Sequence, residues 1–259
     1  MKVTIIAIAK NEQLYIQEWI DYHLKLGFDS IIIADNDDEL ILSGFASNKV
    51  IIEDYTKVIR VQPKAYTELF NKYRNDCDWI AFFDIDEFLV LDGYNDVKQF
   101  LSGFTADEVR LNTKHFTDND ELDVIDGDYS VFNRFKTEAN VIDLDRYFKS
   151  FINTKITTDR NIFGHGIYDK KLNAVNALNQ SVKADSLKSV EPIFKVAWFN
   201  HYRTKTIGEY IRQKCSRGGP NNNPKRYSDW EKYFFQTNTE SEEKINYAKQ
   251  LLLTYGISR

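Results

Sequence analysis

Three short apolar runs do most to limit what this chain can become. They are Val3–Ala9, residues 30–34 and residues 79–83, and each passes directly into polar side chains. Each is as long as a strand and too continuously apolar to have a wet face, so each is expected to be buried on both sides. Between the first two, an apolar pattern at helical spacing runs from Leu14 to Leu26 and is stopped by Gly27. Residues 50–55 and 58–61 read as further short strands, and a helix from about residue 65 to 75 precedes the third run. Strands alternating with helices in this way predict a mostly parallel sheet covered by helices on both faces. Such sheets gather ligands beyond the carboxyl ends of their strands. Asn11 and Glu12, then Asp35 and Asn36, then Asp84 and Asp86 fall at those ends.

The last of these positions is the most demanding chemically. Three carboxylates, in Asp84-Ile85-Asp86-Glu87, follow the buried run Trp79-Ile80-Ala81-Phe82-Phe83. Burying them is costly unless a cation neutralises them. On an extended strand, residues two apart share a side, so Asp84 and Asp86 would face one ion while Ile85 packs away. Carboxylate oxygens suit Mg²⁺ or Mn²⁺, ions that keep coordination positions for water or substrate phosphates.

A length of 259 residues allows one large domain, or a domain with a subdomain. The net charge of −5, with no basic block before residue 200, gives no reason to expect nucleic acid as a partner. Cys77 and Cys215 have the spacing of neither a zinc site nor a disulfide framework, which fits a reducing compartment. Val3–Ala9 is too short to span a bilayer and lacks a cleavage signal, so the expectation is a soluble, cytoplasmic protein. Past Gly93 the alternation becomes irregular. Strands are expected over 108–113, 147–152 and 193–199, with polar loops over 118–128 and 157–166 lining one side of a pocket. Helical spacing over 206–217 ends in Gly218-Gly219-Pro220-Asn221-Asn222-Asn223-Pro224, and one or two helices close the chain over 229–255.

At this point three segments taken together resemble a known group. Ala7-Ile8-Ala9-Lys10-Asn11-Glu12, Trp79-Ile80-Ala81-Phe82-Phe83-Asp84-Ile85-Asp86-Glu87-Phe88 and Asn200-His201-Tyr202-Arg203-Thr204-Lys205-Thr206 are similar, in order, to segments of the family 2-like and family 92 glycosyltransferases. The resemblance implies a GT-A fold: a Rossmann-like α/β domain with a mostly parallel central sheet, helices on both faces and a C-terminal helical extension. It would comprise a catalytic domain over 1–218, with a nucleotide-sugar half to about 92 and an acceptor half beyond, followed by a tail over 219–259. It also implies a nucleotide-sugar donor, Mn²⁺ or Mg²⁺ at the Asp-x-Asp, and inversion at the anomeric carbon. On this reading Asp84 and Asp86 serve the donor ribose and the metal-bound diphosphate, and His201 is a late metal ligand or diphosphate contact. Ala9, Asn11, Glu12 and Asp35 border the nucleoside pocket, with Asp35 bonding uracil or ribose.

Cations on the departing diphosphate would stabilise it, and Lys205 is a candidate; Lys214 and Arg217 read more simply as solvated helix surface. An inverting transfer also needs a base for the acceptor hydroxyl. The candidates are Asp118, placed first, with Asp120 and His165. The sequence departs from the family pattern around Phe116, which leaves acceptor and base open. Lys149-Ser150 matches a family-like Lys-Ser strand, and reads either as a lysine beside the donor phosphates or as a strand-edge lysine. The implied donor is a UDP-sugar, UDP-galactose being the specific guess. The acceptor would be a glycan or lipid-linked glycan in cell-surface polysaccharide or lipopolysaccharide synthesis. The tail mixes basic and aromatic residues, as in Lys232-Tyr233-Phe234-Phe235, which suits a peripheral contact at the inner membrane face. Its acidic residues favour packing against the protein instead. Two rivals remain: a Mg²⁺-dependent nucleotidyltransferase, since paired carboxylates also serve phosphoryl transfer, and a non-catalytic carbohydrate-binding module.

Overall fold

The computed structural model describes every residue except 60, 126, 157–160, 165, 187, 216–228 and 257–259. The chain forms two compact units. The first joins Met1–Lys114 with Ile142–Asn200, and the second joins His115–Val141 with His201–Arg259.

The first unit is built on β1 (Val3–Ala9), α1 (Ile16–Lys25), β2 (Ser30–Asp35), β3 (Val50–Asp54), α2 (Val61–Tyr73) and β4 (Trp79–Phe82). β3, β2, β1 and β4 lie side by side in parallel, as the apolar runs predict. Alternation assigns the two faces. Ile6, Ile32, Ile80 and Phe82 pack against Tyr66, Leu69 and Phe70 of α2. On the other face, Trp19 of α1 meets Phe83 at 5.5 Å between ring centroids. Both faces of β1, β2 and β4 are therefore dry, which is why these strands have no polar alternation, while β3 is partly exposed. Gly27 ends α1 at φ +95, and a Cβ there would lie 2.9 Å from the Asp96 Cβ, so the stop signal is also a close approach.

The expected strand over 58–61 is not one: Val61 opens α2, and its β-branched chain mimicked a strand residue. The run at 79–83 is also not followed by a continuation of the strand. Residues 84–87 form a turn, closed by the Glu87 N–H donating to the Asp84 carbonyl at 3.1 Å. The chain then re-enters the sheet as β5 (Glu87–Leu91), followed by α3 (Val97–Leu101) and β6 (Glu108–His115). After α4 (Val131–Arg134) and α5 (Ile142–Asp145), β7 (Phe148–Asn153) inserts antiparallel between β4 and β6. β8 (Ile162–Phe163) and β9 (Gly166–Ile167) make a small separate ribbon, β10 (Ala174–Asn176) pairs with β6, and β11 (Ala197–His201) lies between β6 and β5. The result is a mixed α/β domain with a mostly parallel half and an antiparallel insertion.

The second unit holds α6 (Ile207–Tyr210), a turn of π-helix over Ile211–Cys215, α7 (Trp230–Phe234) and α8 (Glu242–Thr254). Ile207, Tyr210, Ile211, Trp230, Phe234, Ala248 and Leu252 form its core. Trp230 and Phe234 of the tail are thus internal, packed against the protein. The break at 218–224, with Lys225-Arg226-Tyr227, lies outside the described residues. Among the described residues no helix is long and apolar enough to cross a membrane.

Candidate active site

β1 and β2 run parallel with Ala9 beside Asp35, so the segments that follow them emerge together. Asn11 takes a positive φ of 56 and its N–H donates to Asp37 Oδ1 at 3.0 Å, tying the first segment to the second. Asp35 is fully buried, and its two oxygens accept the Asp37 N–H at 3.1 Å and the Leu42 N–H at 2.8 Å. The Asn36 amide donates to the Tyr55 and Val58 carbonyls at 2.7 and 3.0 Å, which binds the end of β3 to the same corner. Glu12 is buried, and its carbonyl accepts the Tyr15 and Ile16 N–H groups as α1 begins. Asp37, which the sequence reading did not single out, is also buried. Burial pushes its carboxyl up to about 6 against the opposing pull of the Asn11 N–H.

The turn after β4 carries the densest charge. Register pairs Phe82 with Ser150, so the next residue outward on antiparallel β7, Lys149, arrives beside Asp84. Its Nζ lies 2.7 Å from Asp84 Oδ2 and 3.1 Å from Glu87 Oε2. Glu87 Oε2 also accepts the Asp84 N–H at 2.8 Å, so one carboxylate fixes both the lysine and the turn. Lys149 is not an edge residue: β7 is flanked by β4 and β6, and its side chain is only 4% exposed. Burial works against its charge, but Asp84 and then Glu87 outweigh that and raise its pKa. Burial pushes the Glu87 pKa up, with Lys149 opposing. The Tyr66 phenol of α2 is buried and held neutral by burial and by the Asp84 charge. Asp86 is buried, whereas the Asp84 side chain is 38% exposed.

This donor set fits a hard divalent ion. Among the described residues no group of three or more His, Cys, Asp or Glu forms a ready cage. Mg²⁺ and Mn²⁺ bind through as few as one or two carboxylates, with waters and phosphates completing the shell, and the partly exposed Asp84 side chain puts this turn within reach of solvent.

His201, Lys205, Asp118 and Asp120 belong to the second unit. His201 ends β11 and His115 ends β6, and their rings lie 4.7 Å apart, with the Phe116 N–H donating to the His201 carbonyl at 3.3 Å. Sequence reading named only the first of this imidazole pair, since nothing in the sequence sets the end of β6 beside the end of β11. Lys205 is buried at φ +54 and its Nζ donates to Gln213 Oε1 at 3.4 Å. Asp118 is buried, with Oδ2 2.8 Å from Lys244 Nζ, and burial raises its pKa while that lysine opposes. Asp120 meets the same Nζ at 2.8 Å but leaves 80% of its side chain in solvent. Lys214 is buried rather than surface, and His165 and Arg217 lie outside the described residues.

A family model described as Glycosyltransferase family 92 matches residues 5–250. A glycosyltransferase family 92 protein of Oryza sativa subsp. japonica is 27% identical over 107 residues, 39% of this chain and 18% of that one. One of Arabidopsis thaliana is 29% identical over 112 residues, 37% of this chain and 19% of that one. The chain thus spans less than a fifth of the length of these curated relatives. Among solved structures, S. aureus TarS 1-349 is 16% identical with a TM-score of 0.44, over 82% of this chain and 62% of that one. GalNAc-T7 with UDP, GalNAc and Mn²⁺ is 8% identical with a TM-score of 0.43, over 82% of this chain and 47% of that one.

Proposed function

Because this chain belongs to glycosyltransferase family 92, we propose that it is a metal-dependent, inverting glycosyltransferase using a UDP-sugar, with UDP-galactose the first donor to try. The observation that carries this reading is the Asp84-to-Glu87 turn at the carboxyl end of β4, an acidic cluster next in the sheet to the β1 and β2 ends that carry Asn11, Glu12 and Asp35. When bound, a divalent ion would neutralise charge building on the departing nucleoside diphosphate. Asp86 and Asp84 are the carboxylates that would hold the ion and the ribose. The corner formed by Asn11 and Asp35, tied together through Asp37, would hold the base and sugar. His201 and Lys205 are assigned to the diphosphate. Of the two loop carboxylates, Asp120 is the one an acceptor hydroxyl reaches without disturbing the fold, so it is the first base to test; Asp118 and His165 follow. A glycan or lipid-linked glycan is the acceptor class.

Asp86→Ala should leave the circular dichroism spectrum unchanged and lower Mn²⁺-dependent turnover of the UDP-sugar by about a hundredfold or more. Undiminished turnover in the folded variant would contradict the assignment.

A further inference from the structure

We propose that Lys149 is a positioning residue of the donor site: its ammonium, fixed between Asp84 and Glu87, holds the Asp84 carboxylate for the donor and keeps it out of the cation's coordination shell. This deepens the donor-site reading above and rests on it. Nothing about a conventional Asp-x-Asp requires a buried lysine, yet here one stands 2.7 Å from Asp84 Oδ2. It is placed by the sheet rather than by a flexible loop, since Phe82 and Ser150 are register partners on central strands. Glu87 completes the clamp by accepting both the lysine, at 3.1 Å, and the Asp84 N–H, at 2.8 Å. An ammonium at this distance competes directly with a metal ion for the same oxygen, because both are hard cations seeking a carboxylate. A carboxylate held in this way would meet the donor through hydroxyl groups such as those of a ribose. The ion is then left to Asp86, with waters and phosphates.

The test is Mn²⁺ affinity in the presence of UDP, read from the electron paramagnetic resonance of free Mn²⁺, so that it does not depend on turnover. In the wild type, Asp86→Asn should abolish binding while Asp84→Asn stays within about twofold. Lys149→Met should tighten Mn²⁺ about tenfold or more by releasing the Asp84 carboxylate to the ion. That tightening should disappear in Lys149→Met/Asp84→Asn, because it comes from the released Asp84 carboxylate. Tightening that survives in the double variant would reduce Lys149 to a diffuse charge effect and overturn the proposal, as would unchanged affinity in a folded Lys149→Met. If Lys149→Met does not fold, the comparison of Asp84→Asn with Asp86→Asn still decides, since equal losses in the two refute the role of Lys149. Equal Mn²⁺ affinity in wild type and Asp86→Asn refutes the cation site itself, and with it this proposal.

Discussion

His23 illustrates how a single buried group sets a solution property of the molecule. It lies on α1, fully buried, with Nδ1 2.8 Å from the Trp19 carbonyl and Nε2 3.3 Å from the Leu89 nitrogen. A carbonyl can only accept and an N–H can only donate, so Nδ1 carries the proton and the ring is neutral. Burial pushes its pKa down to about 3, while an unfolded histidine titrates near 6.5. Between those values the unfolded chain binds a proton that the folded chain refuses. Stability from this group is therefore complete above about pH 6.5 and falls with decreasing pH, at up to about 1.4 kcal/mol per unit. Urea unfolding across pH 4–7 should show this slope, and His23→Gln should flatten it by one proton's worth whatever its absolute stability. An equal slope in the variant would contradict the account. Asp35 teaches a related lesson. The sequence marks it as a pocket residue, but its oxygens already brace the backbone of Asp37 and Leu42, so any contact with a nucleoside would be made by a residue fixed in place beforehand.

Among the elements, α6 depends on a buried ion pair more than on its own four residues. Arg134 donates to both oxygens of Glu209 at 2.9 and 2.8 Å, and Glu209 also completes a capping box with Thr206. Removing the carboxylate leaves the buried guanidinium paired with Glu121. Glu209→Ala should cost about 3–5 kcal/mol and Thr206→Ala only about 1 kcal/mol, both read from thermal melts; equal losses would show that the cap, not the pair, sustains the helix.

The elements also show what could be read from sequence. Val3–Ala9 and the run ending at Phe83 were legible because strands dry on both faces leave an uninterrupted apolar signature. The turn at 84–87 and the return through β5 were not, since Glu87-Phe88-Leu89-Val90-Leu91 follows so closely that it looks like the tail of one motif. Lys149 was legible as a residue but not as a central one. Whether a strand lies at an edge or inside a sheet depends on register with distant strands, which local pattern does not encode.

At the scale of the whole molecule, the sequence suggested a boundary near residue 218, whereas the compact units are each made of two separated stretches. The second unit joins 115–141 to the C-terminal stretch through Lys244, whose Nζ lies 2.8 Å from both Asp118 and Asp120, and through Tyr247, which donates to Asp123 at 2.5 Å. Contacts more than a hundred residues apart carry no short-range signal, so a linear reading cannot find them. A chain ending at residue 218 loses α7, α8 and Lys244. Hydrogen exchange should then accelerate over 115–141 and 201–215 while β1, β2 and β4 keep their protection. Uniform protection in the truncated chain would show that the second unit does not depend on its tail.

The central claim is that the acidic turn after β4 and the corner at the ends of β1 and β2 bind a nucleoside diphosphate through a divalent ion. Calorimetric titration of UDP, GDP, CMP and ADP, with and without Mn²⁺, tests it most directly. The account predicts heat for UDP that requires Mn²⁺ and is lost in Asp86→Ala. No Mn²⁺-dependent binding of any of the four nucleotides would contradict it.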